Sequence, residues 1–231
     1  MAADGGAARD PRDLARFIDH TLLTPGVAKP DIERLCAEAR WHGFAAVCVR
    51  REWARLVRQL LAGSVVRIAV VVDFHQGSGT TAARVAEAGE AVRAGAEELD
   101  LVAPLPDLIA GRWGLVFDDL RAVISASPVP VKVILETALL SRDQKVAGAA
   151  AAIAAGAAFV KTSTGFAGGG ATVEDVALLR AVAGDRVGVK ASGGVRTAAE
   201  ALAMIRAGAT RIGTSSGVAI VTGRLPAGEG Y

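Results

Sequence analysis

The stretch AGAAAAIAAGAAFVKTSTG, residues 147–165, contains one complete unit of the pattern that decides the fold. Its alanine-rich first half, 147–155, favours a helix, and because alanine side chains are small this helix can pack closely against a sheet. Gly156 follows, at the point where the left-handed end of a helix favours glycine. The apolar run 158–161 then predicts a buried strand, and Lys161 ends it. The unit is therefore a helix, a glycine turn, a strand and a polar loop.

The same unit repeats along the whole chain, with a short apolar run roughly every 25 to 30 residues. The eight runs span residues 17–19, 45–49, 65–72, 98–102, 129–135, 158–161, 187–190 and 211–214. Strands that alternate with helices and are buried on both faces form a parallel sheet. Eight such units predict an α/β fold, a single-domain (β/α)8 TIM barrel, which we place at residues 12–231.

An open, doubly wound sheet is the alternative architecture for this pattern. No GxGxxG motif follows the first strand, as a dinucleotide-binding sheet of that kind would have. Polar residues fall instead at the C-terminal ends of several strands, where barrel enzymes keep their catalytic groups. The barrel is therefore the favoured prediction.

Local signals also predict where helices begin and end. Pro30 and Asp31 suit the first turn of the first helix. Thr172 and Asp175 predict a capping box at the start of a later helix, with the Asp175 carboxylate reaching back to the backbone. Left-handed helix ends are predicted just before strands at Gly43, Gly95, Gly156 and Gly208.

The composition excludes several classes of protein. Hydrophobic residues make up 52% of the 231 and mean hydropathy is +0.37, yet charged residues interrupt every long apolar stretch. No run of about 20 apolar residues is present to cross a bilayer, so no membrane partner is expected. The 26 basic and 24 acidic side chains are interspersed, which argues against a nucleic-acid partner. We expect a soluble, cytoplasmic protein.

Three further features of the sequence have simple interpretations. The N-terminal arm, residues 1–11, lacks the apolar core of a signal peptide and is expected to be partly disordered. Cys36 and Cys48 have no CxxC neighbour, which favours reduced thiols. The three histidines show no metal-ligand spacing, so no metal site is expected.

Two lysines end neighbouring predicted strands. Lys161 closes the sixth run and Lys190 closes the seventh. Adjacent strands lie about 4.8 Å apart, so the two ammonium groups can share one pocket. Burial and the like charge both favour the neutral amine, and an amine activated in this way attacks carbonyl carbon. The pair predicts a Schiff-base nucleophile at Lys161, the alternative being a lysine that extends to solvent at a strand end.

Carboxylates accompany the lysines. Asp100 lies between apolar residues in the fourth run, where its side chain could pair with a lysine and move protons, or form a structural ion pair. Asp19 and Lys132 could complete a charge network. Glu136, just past the fifth run, could equally be a solvated residue at the rim.

Glycine- and serine-rich segments follow the seventh and eighth strands. Residues 192–197 and 213–217 both lead into helices. Loops at these two positions of TIM barrels often bind phosphate, because bare backbone amides and hydroxyls provide donors there. Either segment alone would more often be a tight turn, but their joint placement predicts a phosphate site.

These strand ends together resemble the family of deoxyribose-phosphate aldolases, class I aldolases with a (β/α)8 barrel. The similarity covers nearly the whole chain, and the Lys161 and Lys190 segments are highly specific in combination. It rests on the segments IDHTLL (18–23), AVCV (46–49), KVILET (132–137), VKTSTGF (160–166), VKASGGVRT (189–197) and RIGTSSG (211–217).

The resemblance implies reversible cleavage of 2-deoxy-D-ribose 5-phosphate to D-glyceraldehyde 3-phosphate and acetaldehyde, with no cofactor and often as a homodimer. By motif position, Lys161 would form the imine, Lys190 would lower its pKa and Asp100 would move protons. The C-terminal Tyr231 would transfer a proton to the enamine, as in some members. The residues that would hold the phosphate are Gly165, Gly193, Gly194, Gly213, Ser215 and Ser216.

The chain departs from the family pattern at two places. Phe74-His75-Gln76 stands where the family usually has a Phe-Pro pair, and Pro104 and Pro106 follow Asp100. Both changes could alter substrate range or loop mobility without affecting the lysines. Two other functions remain open on the residues alone: a Schiff-base barrel acting on another phosphosugar, such as a transaldolase-like or ketose-bisphosphate enzyme, and a silent barrel that only binds a phosphometabolite.

Overall fold

A computed structural model describes residues 10–223 of the chain. Eight parallel strands pair in chain order, and β1 also pairs with β8, so the sheet closes into a barrel. The predicted TIM barrel is confirmed. The strands are β1 Ile18–Leu22, β2 Ala46–Val49, β3 Arg67–Val72, β4 Glu98–Val102, β5 Val131–Ile134, β6 Phe159–Lys161, β7 Gly188–Ser192 and β8 Arg211–Thr214.

Helices fill the connections between strands. None of those in residues 10–223 combines the length and the apolar character needed to span a bilayer. The α-helices are α1 Lys29–His42, α2 Ala54–Leu60, α3 Thr81–Ala94, α4 Leu105–Ile109, α5 Trp113–Ala126, α6 Arg142–Ala154, α7 Val173–Ala183, α8 Ala198–Arg206 and α9 Gly217–Thr222. The 3-10 helices are Pro11–Phe17, Arg51–Trp53 and Thr137–Leu139.

Two sequence predictions fall at the ends of the chain. Residues 1–9 of the expected N-terminal arm lie outside the described residues, as does Tyr231. Asp10 caps the helix Pro11–Phe17 by accepting a hydrogen bond from the Arg12 amide at 2.9 Å. This helix packs against α8 and α9. The helix Pro11–Phe17 spans the predicted domain boundary at residue 12.

The strand runs predicted from sequence agree with the structure to within a few residues. The third run was predicted to begin at Val65, but that side chain is 91% exposed and β3 begins at Arg67. The seventh was predicted to end at Lys190, and β7 continues to Ser192. Apolar character alone misplaces these ends because the hydrogen bonds to neighbouring strands, rather than hydrophobicity, define them.

The cap of α7 differs from its prediction in one contact. The Thr172 hydroxyl accepts a hydrogen bond from the Asp175 amide at 3.0 Å, as expected of an N-cap. The predicted return contact of Asp175 is wrong, because its carboxylate instead accepts from Lys145 of α6 at 2.6 Å. The left-handed helix ends are confirmed, since positive φ angles occur at Gly43, Gly95, Gly156 and Gly208.

Apolar residues occupy two separate regions. The main core lies between the barrel and its helices. A second, smaller cluster consists of Leu23, Ala46, Cys48, Ala69 and Val71, partly covered by Phe74 and Phe166. Its strand members belong to β2 and β3. The other strands contribute ionisable side chains to the barrel interior, and these build the candidate site.

Candidate active site

Strand alternation directs two carboxylates of β4 into the barrel. Side chains of a strand alternate between its faces, so Glu98 and Asp100 share one face. Leu99 and Leu101 belong to the other face and are buried in the main core against the helices. Asp100 is completely buried and Glu98 is 4% exposed. A single strand therefore places two acidic groups in the barrel interior.

Three lysines converge on Asp100. Lys161 and Lys190 lie side by side, paired in the register of β6 and β7. The Nζ of each donates to Oδ2 of Asp100 at 2.7 Å. Lys132 of β5 donates to the other oxygen, Oδ1, at 2.9 Å. The carboxylate thus touches the reacting lysine predicted from sequence and both of its neighbours.

Lys190 has more carboxylate partners than Lys161. Besides Asp100, its Nζ donates to Oδ2 of Asp19 at 2.5 Å. Burial opposes the charge of this amine, but Asp100 and Asp19 outweigh burial and raise the pKa of Lys190 above its ordinary value. The raised pKa favours the charged form of Lys190 at neutral pH.

Lys161 has the opposite tendency. Burial disfavours its charged form and the cation of Lys190 adds to that effect, while Asp100 opposes both. The net result is a pKa of Lys161 below the ordinary 10.5. Lys161 also keeps 3% of its surface exposed, whereas Lys132 and Lys190 keep none. A small molecule entering the barrel mouth therefore meets an amine with an enlarged neutral fraction.

Lys132 and Arg211 connect Asp100 to two further carboxylates, Glu98 and Asp19. Lys132 Nζ is 2.5 Å from Oε2 of Glu98 and 3.5 Å from Oδ2 of Asp19. Arg211 of β8 contacts Oδ1 of Asp19 at 2.6 Å and Glu98 at 3.4 Å. Burial opposes the charge of Lys132, yet Asp100 and Asp19 raise its pKa. The ion pairs form one connected network.

Sequence reasoning identified part of this network and missed the rest. It placed Asp19 and Lys132 in a charge network, which the contacts show. It did not single out Glu98 or Arg211. A usable signal existed for Glu98, which precedes Asp100 by two residues on a predicted strand and so shares its face. For Arg211, at the start of a strand, no pattern indicated an inward side chain.

Glu136 is not a solvated rim residue. It is completely buried and has a left-handed backbone, with φ of 56°. Its Oε2 accepts hydrogen bonds from the Thr164 hydroxyl and, at 3.1 Å, from the Thr164 amide. The Thr164 hydroxyl in turn accepts from the Phe166 amide at 3.1 Å. The left-handed backbone of Glu136 turns its carboxylate inward, where its hydrogen bonds to Thr164 fix the loop after β6.

The loops after β6, β7 and β8 are adjacent. The Ser192 hydroxyl donates to the Ser163 carbonyl at 2.5 Å, which joins the first two loops. The Thr214 hydroxyl donates to the Val195 carbonyl at 2.6 Å, which joins the second to the third. The glycines and serines singled out from sequence are thus brought to one side of the barrel mouth.

The individual residues of these loops differ in their conformations. Gly165, Gly193 and Gly194 all have positive φ, of 88°, 88° and 79°, which glycine adopts without strain. Ser215 and Ser216 are half-buried. The Ser216 amide already donates to the Thr214 hydroxyl at 2.9 Å, so that donor is used within the turn.

Gly213 occupies a different position from the other predicted phosphate residues. It lies within β8, and a Cβ added to it would be 2.9 Å from Cε of Lys190 and 2.9 Å from Cβ of Ser192. Such approaches are shorter than ordinary carbon contacts. Glycine at this position therefore leaves room for the side chain of Lys190.

Aromatic residues of two loops meet above the small apolar cluster. His75 stacks on Phe166 with ring centroids 5.3 Å apart, and Phe74 meets Phe166 edge-on at 5.2 Å. The Arg50 guanidinium lies over the Phe74 ring at 5.3 Å and donates to the Leu23 carbonyl at 2.9 Å. Phe74, His75 and Phe166 thus form an aromatic wall. Two of these residues belong to the segment in which the chain departs from the family pattern.

Within residues 10–223, no cluster of three His, Cys, Asp or Glu side chains has the spacing of a metal site. Both cysteines in this range are free and buried. Cys48 lies in the barrel interior, where burial raises the pKa of its thiol to about 11. It is therefore a neutral thiol at physiological pH.

Comparison with known proteins points to one family. The chain matches the family model described as DeoC/LacD family aldolase over residues 14–223. It is 49% identical over 220 residues to a deoxyribose-phosphate aldolase of Brevibacillus brevis, covering 95% of this chain and 100% of that protein. The corresponding protein of Bdellovibrio bacteriovorus is 47% identical, with 91% and 96% covered. The tetrameric deoxyribose phosphate aldolase of Aeropyrum pernix has a TM-score of 0.85 at 32% identity, with 92% and 91% covered.

Proposed function

The chain belongs to the DeoC/LacD family of aldolases, and from this premise we propose that it reversibly cleaves 2-deoxy-D-ribose 5-phosphate to D-glyceraldehyde 3-phosphate and acetaldehyde. It is a carbon–carbon lyase that acts through a Schiff base on Lys161. The supporting observation is the arrangement of Lys161, Asp100 and Lys190. Lys161, whose pKa is lowered, lies 2.7 Å from the Asp100 carboxylate, and the Lys190 ammonium group donates to the same oxygen.

We assign a side chain of this chain to each proton transfer of the reaction. Neutral Lys161 attacks the aldehyde carbon C1, and the resulting carbinolamine loses water to give an iminium ion. Asp100 accepts and returns protons at Nζ through Oδ2 during these steps. The iminium withdraws electrons as the C2–C3 bond breaks and the C3 hydroxyl gives its proton to a base, a role that we assign to Asp100. Glyceraldehyde 3-phosphate leaves, and the enamine of acetaldehyde stays on Lys161.

Release of acetaldehyde requires a proton at C2 of the enamine and then hydrolysis. We assign the proton transfer to Tyr231, on the resemblance of the C-terminal tyrosine to that of family members. The Tyr231→Phe variant separates this step from the others. It is expected to slow exchange of the acetaldehyde methyl protons with deuterated water while imine formation on Lys161 is unchanged. Equal exchange rates in both proteins would remove Tyr231 from the mechanism.

The phosphate is held by the three adjacent loops at the barrel mouth. Gly165, Gly193 and Gly194 offer backbone amides without a side chain in the way, and Ser215 and Ser216 offer hydroxyls. Gly213 stands at the base of this group. Ser215→Ala and Ser216→Ala are expected to raise KM for 2-deoxyribose 5-phosphate and leave KM for unphosphorylated 2-deoxyribose unchanged. A parallel rise for both sugars would count against this assignment.

The proposed cytoplasmic location and self-association each have one supporting observation. Cys36 and Cys48 are free thiols, which supports a cytoplasmic location, where thiols stay reduced. Self-association as a homodimer is supported by the tetrameric assembly of the Aeropyrum pernix relative. Analytical ultracentrifugation of the full chain distinguishes a monomer from a dimer or tetramer.

Borohydride trapping with acetaldehyde tests the central proposal. Reduction is expected to leave an ethyl group on Lys161, located by peptide mass spectrometry, and Lys161→Leu is expected to abolish both the adduct and turnover. Lys29→Leu, which removes a side chain that is 66% exposed, is the matched control and should keep both. An adduct elsewhere, or one that persists in Lys161→Leu, contradicts the assignment.

The substrate class is tested separately from the nucleophile. Turnover of an acetaldehyde-yielding substrate is compared with that of a dihydroxyacetone-yielding one. Preference for the second would indicate a transaldolase-like or ketose-bisphosphate enzyme. Stabilisation by 2-deoxyribose 5-phosphate without any turnover would indicate a barrel that only binds its ligand.

A further inference from the structure

The buried ion-pair network inside the barrel contains more positive groups than negative ones. Within residues 10–223, this network joins three buried carboxylates to four cations. The carboxylates are Asp19, Glu98 and Asp100, and the cations are Lys132, Lys161, Lys190 and Arg211. Arg67 also approaches Glu98, at 3.9 Å, but its side chain is 58% exposed and its charge is screened by water. One cation is therefore in excess.

The contacts identify which cation is in excess. Lys132 touches all three carboxylates, and Lys190 and Arg211 each touch two. Lys161 touches Asp100 alone, and it shares that oxygen with Lys190. Three carboxylates balance the other three cations, so the buried network is electrically neutral when Lys161 has lost its proton.

We propose that Glu98 and Arg211 are positioning residues of the aldolase reaction, which set the charge balance of the barrel interior so that Lys161 is the amine that gives up its proton. This inference rests on the proposed function of Lys161. Neither residue has an ion pair or hydrogen bond with Lys161 among those described; their effect passes through Asp19, Lys132 and Asp100.

Two chains of contacts carry that effect. One runs from Arg211 through Asp19 and Lys190 to Asp100, with successive distances of 2.6, 2.5 and 2.7 Å. The other runs from Arg211 through Glu98 and Lys132 to Asp100, at 3.4, 2.5 and 2.9 Å. Charges in a buried environment interact more strongly than in water, so a charge removed at Arg211 is felt at Lys161.

Arg211 is held in place by more than its carboxylates. Its guanidinium lies over the Phe159 ring, 5.4 Å from the centroid. The Lys190–Arg211 pairing of β7 and β8 places the two cations on adjacent strands. The groups that act on Lys161 from the packed strands are Asp100 of β4, Lys190 of β7 and Cys48 of β2, and Lys132 of β5 acts on it through Asp100.

The proposal fixes the sign of each substitution. Arg211→Gln removes a cation, which leaves three carboxylates with two other cations, so Lys161 must hold its proton to restore neutrality. The pKa of Lys161 then rises. Adding Glu98→Gln removes a carboxylate as well, so that two carboxylates face Lys132 and Lys190, and Lys161 can again be neutral. The second substitution therefore repairs the first.

The test measures the rate of borohydride trapping of acetaldehyde on Lys161 as a function of pH. Arg211→Gln is expected to move the acid limb of this profile up by on the order of 1 pH unit, a roughly tenfold loss of rate at neutral pH that recovers at high pH. The Glu98→Gln/Arg211→Gln double variant is expected to return the limb toward that of the natural protein. Arg211→Lys, which keeps the charge, is expected to leave it in place.

The outcomes separate this inference from the proposed function. No trapping on Lys161 in the natural protein overturns the proposed function itself. The inference is overturned if Arg211→Gln is trapped with its acid limb unmoved. It is also overturned if the double variant is trapped more slowly at neutral pH than the single variant. Either result assigns Glu98 and Arg211 a purely structural role. If Arg211→Gln does not fold, judged by circular dichroism, Lys132→Gln removes a cation from the same network and is expected to show the same upward shift.

Discussion

Lys161 and Lys190 donate to the same oxygen of one carboxylate, each with its Nζ 2.7 Å from Oδ2 of Asp100. Their environments differ beyond that shared contact. Lys190 has Asp19 as a second acceptor, whereas Lys161 has no second carboxylate within the described residues. Burial lowers the pKa of Lys161 and Asp100 alone does not offset it, whereas Asp100 and Asp19 together outweigh burial and raise the pKa of Lys190. This difference supports the proposed roles of Lys190 as the fixed cation and Lys161 as the nucleophile.

Lys190→Met tests this division of roles. Removing the cation takes away a like charge and frees Asp100 to stabilise charged Lys161, so the pKa of Lys161 rises. We expect kcat/KM at pH 7 to fall by roughly 100-fold or more, with the acid limb of the pH profile displaced upward. Lys29→Met, at an exposed position, is the control. A uniform loss of rate at all pH values would mean that Lys190 does not tune Lys161.

The buried carboxylates predict how stability depends on pH. Burial disfavours the charged forms of Asp19 and Asp100, but the surrounding cations outweigh burial and hold the pKa of both well below the ordinary 3.8. A depressed folded-state pKa stabilises the fold above the unfolded pKa, and that stability is lost as pH falls. We expect the free energy of unfolding in urea to be nearly constant between about pH 7 and 5 and to decline below about pH 4.

Asp19→Asn is the matched variant for the acid transition. It removes one of the two carboxylates and leaves Lys190 and Arg211 with fewer acceptors. The variant is expected to be less stable at pH 7 and to lose less stability between pH 5 and 3 than the natural protein. A natural protein whose stability rises on acidification would contradict the assignment of charged carboxylates to the barrel interior.

Glu136→Ala is expected to loosen the loop after β6. The substitution leaves the buried amide and hydroxyl of Thr164 without their acceptor, at a cost of about 1–3 kcal/mol in the free energy of unfolding. Because Thr164 holds the Phe166 amide, the aromatic wall moves with it and KM for 2-deoxyribose 5-phosphate rises. Glu136→Gln keeps an acceptor oxygen and should lose less in both chemical denaturation and steady-state kinetics.

A comparison of the two alanine variants of glycine tests the space around Lys190. Gly213→Ala places a methyl group 2.9 Å from Cε of Lys190, so that side chain must move and the rate is expected to fall at least tenfold. Gly114→Ala, in the first turn of α5 with nothing within 4 Å of the added carbon, should leave kinetics unchanged. Normal activity in Gly213→Ala would show that Lys190 has room to spare.

The pattern of residues along the chain was sufficient for the fold and for five of the seven charged residues of the network: Asp19, Asp100, Lys132, Lys161 and Lys190. Eight apolar runs, each followed by a helical segment, predict a parallel sheet, and the polar residues at several strand ends favoured the closed barrel over an open doubly wound sheet. Lys161, Lys190 and Asp100 stood out because charged side chains interrupt strands that are otherwise apolar. Glu136 did not, since a residue just past a strand looks the same in sequence whether its backbone turns outward or, as here, inward with φ of 56°.

By itself, then, the sequence determined that the chain forms a barrel and that charged side chains of several strands enter its interior, because the period of two in a strand fixes which face each residue takes. Only the tertiary structure decided which charges meet. Arg211 pairs with Asp19 across 192 residues and with Glu98 across 113, and both contacts exist only once the sheet has closed. Closure and strand tilt set the relative heights of residues on different strands. The periodicity of a single strand does not determine which residues meet across the closed barrel, and those meetings leave Lys161 with one carboxylate, which it shares with Lys190.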